Sequence, residues 1–161
     1  MEEATFGAGC FWHIEKAFDE LQGVETEAGY MGGDKKKFPS PKYEQICGGK
    51  TGYIEVVHLK FNPKKISYAK LLDLFWRIHN PTSFDKQEAD IGSQYRSVIF
   101  YHDLEQKKIA EKSKKEFEKK IKGKIVTEIR KAGKFFRAEE YHQKYYKKNK
   151  IICKIENIFT K

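Results

Sequence analysis

Between Ala4 and Tyr30 the sequence changes its hydrophobic period twice, and that change limits the available folds more than any other feature. ATFGA (4–8) reads as a short strand running into Gly9. Phe11, Ile14, Phe18 and Leu21 then fall on one helical face, Gly23 stops the helix, and VETEAGY (24–30) reads as a second strand. YIEVVHLKF (53–61) predicts a third strand ended by Asn62-Pro63. A helix follows from about Ser67, with Leu71, Leu72, Phe75 and Ile78 as its stripe, and Asn80-Pro81 ends it. SVIFY (97–101) predicts a fourth strand. Asp103 with Gln106 forms a capping-box pattern before a charged helix carrying Ile109, Ser113, Phe117 and Ile121, and IVTEI (125–129) predicts a fifth strand.

The order β-α-β-β-α-β is that of an α+β, ferredoxin-like split βαβ sheet with helices packed on one face, here with an extra helix and an irregular tail. No internal repeat or long linker divides the 161 residues, so one domain over 1–161 is expected, with the tail starting near 135. An apolar content of 39% suffices for a core. No apolar run approaches the roughly 20 residues that cross a bilayer, and MEEATFGAG lacks the pattern of a secretory signal. A cytoplasmic protein without membrane attachment is expected.

Formal charge is +9, but the lysine runs sit in loops or alternate with glutamate, as in EKSKKEFEKK. That is the pattern of a solvated helix face, and lysine in place of arginine does not favour specific nucleic-acid recognition. YIEVVHLKF also lacks the glycine-aromatic pattern of an RNA-binding sheet. Three cysteines, Cys10, Cys47 and Cys153, are too few for a disulfide framework. They form no CxxC pair, and Cys10-x-x-His13 has no second pair to complete a metal site. No metal and no bound cofactor are expected.

Within AGCFWHIE (8–15) the thiol of Cys10 lies at the first turn of a helix, near unpaired amides and the positive end of the dipole. Both lower a thiol pKa, so Cys10 is a candidate nucleophile, with a packed structural thiol as the alternative. Trp12 lies about 100° from the apolar stripe that includes Phe11, so it either walls a pocket beside the thiol or packs elsewhere. By alternation Glu55 shares a strand face with Val57 and Leu59, where desolvation would raise its pKa and make it a proton donor; an edge-strand glutamate would read the same way. Tyr43 and Tyr95 stand in irregular segments as possible hydrogen-bond donors. A different thiol enzyme using a Cys–His pair is a further possibility, with His58, His79, His102 and His142 available.

GCFWHIE, AGYMGG (28–33), PKYEQICGGKTGYIE (41–55), FWRIHNPT (75–82), GSQYRS (92–97) and FFRAEEYHQKY (135–145) occur in order, and together they closely resemble the A-type peptide methionine sulfoxide reductases. The resemblance spans about residues 4 to 150. It implies thiol-dependent reduction of the S epimer of methionine sulfoxide, protein-bound or free, and so repair of oxidised proteins. Cys10 matches the family's nucleophile, Phe11 and Trp12 its methyl-binding pocket, and Glu55 its acid. Tyr43 and Tyr95 match its oxygen-binding phenols, and Asp90 an acid near the substrate backbone. An external dithiol, thioredoxin, is the implied reductant, and the chain is expected to act as a monomer. The chain departs from the family pattern at His13, where glycine is commonest, and at Ile91, where histidine is frequent. Cys153 lies where the resolving cysteine is usually found, without its usual flanking residues; Cys47 and direct reduction of the oxidised Cys10 are the alternatives.

Overall fold

In a computed structural model, which describes residues 1–149, the predicted strands assemble around one central pairing. Strand β1 (Glu2–Ala8) runs antiparallel to β3 (Ile54–Phe61), with Phe6 opposite Val57 and Ala4 opposite Leu59. Strand β2 (Val24–Met31) flanks β3, and β6 (Ser97–Tyr101) flanks β1, both antiparallel. The order β6-β1-β3-β2 is therefore the split βαβ arrangement. Two short strands extend it: β7 (Glu128–Lys131) lies parallel to β6, and β8 (Phe136–Arg137) pairs with β2. The result is a six-stranded mixed sheet in an α+β fold.

Alternation along these strands creates two unequal faces. Ala4, Phe6, Ala8, Val57, Leu59 and Phe61 turn toward helix α1 (Phe11–Asp19) and helix α3 (Tyr68–Arg77). These meet the stripe of α1 (Phe11, Ile14, Phe18) and that of α3 (Leu71, Leu72, Phe75, Trp76), all buried. Phe6 sits at the centre, its ring centroid 5.4 Å from Phe18 and 5.2 Å from Phe75. The opposite face is a smaller cluster of Met31, Ile54, Val56, Val98 and Phe100, covered by Ala132 and Phe135 rather than by a helix. Helix α4 (Leu104–Glu118) packs outside α3, joined by a hydrogen bond from Trp76 Nε1–H to Ser113 Oγ at 2.8 Å.

The helix starts carry the expected caps. Ser67 Oγ accepts from Lys70 N–H at 3.2 Å, and Asp103 Oδ1 accepts from Gln106 N–H at 2.8 Å. Gln106 departs from a capping box, since its side chain accepts from His102 N–H instead of Asp103 N–H. The fifth strand lies later than IVTEI predicts. Ile125 and Thr127 are buried, but Val126 N–H is taken by Pro81 O at 2.8 Å, so pairing begins only at Glu128.

Two long segments read as irregular contain short elements. The 31–52 loop holds α2 (Tyr43–Cys47), and the 82–95 loop holds a small hairpin of β4 (Lys86–Gln87) and β5 (Asp90–Ile91), then a 3₁₀ turn at Ser93–Tyr95. The tail adds helix α5 (Tyr145–Lys148). Each is too short to show a period. Among the described residues no helix is long and apolar enough to cross a membrane. Because Phe6 is fully buried between two helices, Phe6→Ala should destabilise the fold by about 3–5 kcal/mol in equilibrium denaturation.

Candidate active site

Gly9 makes the turn from β1 into α1 at φ +103°, and a Cβ there would meet Gln87 at 3.0 Å. Gln87 holds the β4–β5 hairpin against the end of α3: its Oε1 accepts from Asn80 N–H at 2.8 Å and its Nε2–H donates to Asn80 O at 2.7 Å. Cys10 occupies the N-cap position of α1, partly exposed, and Cys47, at the end of α2, is exposed. Cys153 lies outside the described residues.

Across from the start of α1, Glu55 projects from β3 and is only 1% exposed. Its Oε1 accepts from Phe11 N–H at 3.3 Å. Burial pushes the Glu55 carboxyl up to about 8; the Phe11 amide pulls it down, and the charge of Asp90 pushes it up again. The direction of this shift is the one expected of a carboxyl on the buried face of the strand.

Cys10 behaves differently from the helix-terminus expectation. The amides of Trp12 and His13 do favour its thiolate, but burial, then the charge of Glu55, outweigh them and push the thiol up to about 12. Asp90 adds to the same effect. The helix N-terminus does not prevail because Cys10 is largely desolvated, with the carboxyl on the neighbouring strand adding to that effect. In the unliganded protein Cys10 is a thiol, and it becomes a thiolate only where its proton is taken up.

Tyr43 and Tyr95 close the site from two loops. The Tyr43 amide donates to Glu139 Oε2 at 2.9 Å, and Glu139 Oε1 accepts from Tyr30 O–H at 3.0 Å, so one carboxylate ties α2 to β2. Tyr95 ends the 3₁₀ turn, whose Ser93 O–H donates to Gly49 O at 2.8 Å. Burial, first of all, raises both phenols above their usual range. The charges of Glu55 and Cys47 act on each phenol, Asp90 and Cys10 act on Tyr95 as well, and Cys47 also hydrogen-bonds Tyr43. These influences bring Cys10, Glu55, Tyr43, Tyr95, Asp90 and Cys47 into one electrostatic neighbourhood.

Phe11 is buried beneath the site, with ring centroids 5.7 Å from Tyr30, 6.4 Å from Tyr43 and 5.0 Å from His142. Trp12 is half-buried and lies beside Cys10, stacked on Tyr145 at 3.8 Å and 7°. Its Nε1–H donates to His142 Nδ1 at 2.9 Å. An indole nitrogen only donates, so Nδ1 carries a lone pair and the neutral His142 ring has its proton on Nε2. Burial lowers the His142 pKa, consistent with a neutral ring, and Nε2 has no partner among the described residues. Sequence reading left His142 as one of several histidines and did not single out Tyr145. FFRAEEYHQKY has no clean period, and only the fold brings it onto α1.

The profile described as "Peptide methionine sulfoxide reductase" matches residues 2–160. The chain belongs to the peptide methionine sulfoxide reductase family. The peptide methionine sulfoxide reductase MsrA of Methanosarcina acetivorans is 50% identical over 164 residues, covering 100% of this chain and 86% of that one. The reduced form of Mxr1 from Saccharomyces cerevisiae superposes with a TM-score of 0.90 at 37% identity, covering 96% of this chain and 88% of that one. The same yeast protein has also been solved in complex with Trx2, matching with a TM-score of 0.64 at 26% identity over 96% of this chain and 87% of that one. As an MsrA, the chain is an oxidoreductase.

The raised Cys10 thiol gives an expected outcome for this MsrA. In a background of Cys47→Ser and Cys153→Ser, alkylation of Cys10 should rise about tenfold per pH unit through pH 9 without a plateau. Glu55→Gln removes the opposing negative charge, so it should speed alkylation at pH 9. A plateau below pH 8 would contradict this.

Proposed function

We propose that this chain reduces the S epimer of methionine sulfoxide, free or protein-bound, to methionine through Cys10, and so repairs oxidised proteins. The observation that carries the reading is Glu55: a carboxyl 1% exposed, pushed up to about 8, on the strand facing the thiol-bearing helix start. At neutral pH it holds the proton that a sulfoxide oxygen must receive for its S–O bond to break.

Phe11 and Trp12 are the proposed apolar wall for the substrate's methyl group, and Asp90, whose charge acts on Glu55 and Cys10, is the proposed neighbour of the substrate backbone. Tyr43 and Tyr95, kept protonated, donate to the sulfoxide oxygen. The Cys10 sulfur attacks the sulfoxide sulfur while Glu55 gives its proton to the oxygen. The proton leaving the Cys10 thiol restores the Glu55 carboxyl. In the adduct the protonated oxygen passes from the substrate sulfur to the Cys10 sulfur: the substrate S–O bond and the new S–S bond break, a Cys10 S–O bond forms and methionine departs. Sulfenic acid is left on Cys10, so the thiol is oxidised by two electrons and the sulfoxide reduced by two. A second thiol attacks the sulfenic sulfur, releasing water and forming a disulfide, and an external dithiol takes over that disulfide.

Cys153 is the proposed second thiol. It lies five positions beyond Lys148 in α5, a reach of at most about 18 Å, and the α5 segment is anchored on α1 beside the site. Cys47 is the alternative, favoured by its exposure and by its contact with Tyr43. Thioredoxin is the proposed dithiol, supported by the yeast relative's complex with Trx2. We assign the reaction to the cytoplasm, where thiols such as those of Cys10 and Cys47 persist reduced, and to a monomer.

With dithiothreitol, the protein should reduce an S-sulfoxide peptide and leave the R epimer untouched, while Cys10→Ser should be inactive. Glu55→Gln should lower the single-turnover rate about 10²–10⁴-fold. In the native protein kcat/KM should fall about tenfold per pH unit above about 8, because the acid is active only while protonated. A single turnover without reductant, followed by disulfide mapping, should yield Cys10–Cys153. Inactivity on the S epimer, or full activity in Cys10→Ser, would overturn the assignment.

A further inference from the structure

His13 stands where the commonest family motif has glycine, and its imidazole is occupied. Both ring nitrogens lie within hydrogen-bond reach of Tyr146 O–H, Nδ1 at 2.7 Å and Nε2 at 3.0 Å, with the rings 5.0 Å apart. Tyr146 is 8% exposed, so its hydroxyl makes this bond largely out of water. The adjacent Tyr145 is the residue stacked on Trp12. One turn along α1, Glu15 is 1% exposed and accepts from the Lys144 backbone N–H at 2.6 Å, while Lys144 itself adopts a left-handed conformation at φ 51°. The tail thus meets the first half of α1 at several points: His142 and Tyr145 meet Trp12, Lys144 meets Glu15, and Tyr146 meets His13.

We infer that His13 and Tyr146 form a clasp that fixes the indole of Trp12 as the wall of the methyl pocket. This deepens the function proposed above and rests on it. Helix α5 spans four residues and cannot hold itself in place. Trp12 gets its orientation from two tail residues, His142 at its edge and Tyr145 on its face. Glu15 fixes the approach to α5 and His13 fixes α5 itself, so the Tyr145 ring is held between two anchor points. The charges of Asp90 and Glu88 also act on His13, which sets it at the rim between the tail and the β4–β5 hairpin. His13 and Tyr146 are positioning residues: they touch no reacting atom and act through Tyr145 and Trp12.

The test compares Tyr146→Phe, His13→Ala, the double variant and His13→Gln, which keeps a hydrogen-bonding group. Expected for the first two is a rise in KM for an S-sulfoxide peptide of about three- to tenfold, the range of one lost hydrogen bond. The single-turnover rate at saturating peptide should stay within about twofold of the native value. The double variant should be no worse than either single one, and His13→Gln should recover most of the loss. An independent readout is solvent exchange of the Trp12 indole N–H, followed by NMR, which should quicken in Tyr146→Phe as its bond to His142 loosens. Unchanged KM and unchanged indole exchange in Tyr146→Phe would overturn the clasp, as would additive effects in the double variant. A native protein inactive on the S epimer would overturn the function instead, and the indole exchange would then decide the clasp alone.

Discussion

The carboxyl of Glu55 lies in the apolar interior, on the strand that faces the N-terminus of α1, and the architecture around it keeps water away. The pairing of β3 with β2 holds it there, opposite Tyr30, on the face shared with Val57 and Leu59 against which α1 packs. Its one backbone donor is Phe11 N–H at 3.3 Å, a single contact that does not offset desolvation. Proton retention near neutrality is therefore a property of the core. The same burial and the same carboxyl keep Cys10 a thiol in the unliganded protein, so the acid and the nucleophile are coupled before any substrate arrives.

A second dependence links the tail to this centre. Glu139 joins β2 to α2 and so sets Tyr43, His142 and Tyr145 orient Trp12, and Glu15 takes the Lys144 amide. Strand β2, helices α1 and α2 and the tail thus converge on a few aromatic rings. The side chains involved are held by hydrogen bonds whose partners are more than 90 residues away in sequence, which is how a site built largely on loops acquires fixed geometry.

The long periodic elements were legible in the sequence because their own residues choose their faces. The stripe of Phe11, Ile14 and Phe18 and the run from Ile54 to Phe61 need no partner to be recognised. Residues 43–47, 86–91 and 136–148 were not legible, because those elements are two to five residues long and exist through contacts with distant chain. Within the site, alternation puts Glu55 on the face of Val57 and Leu59 but reads an edge-strand glutamate the same way, and only the family resemblance singles it out as an acid. The state of Cys10 could not be read, since the local sequence shows the amides of Trp12 and His13 but neither the burial that tertiary packing imposes nor the carboxyl 45 positions away. His142 and Tyr145 were hidden for the same reason: their importance lies in touching Trp12.

The most direct measurement is the titration of the Glu55 carboxyl itself, by carbon NMR of glutamate-labelled protein with Glu55→Gln identifying the signal. The account predicts a midpoint at about 8 in the unliganded protein, far above the ordinary value of 4.5. A Glu55 carboxyl that loses its proton near that ordinary value would contradict it, because no buried acid would then remain at neutral pH to meet the sulfoxide oxygen.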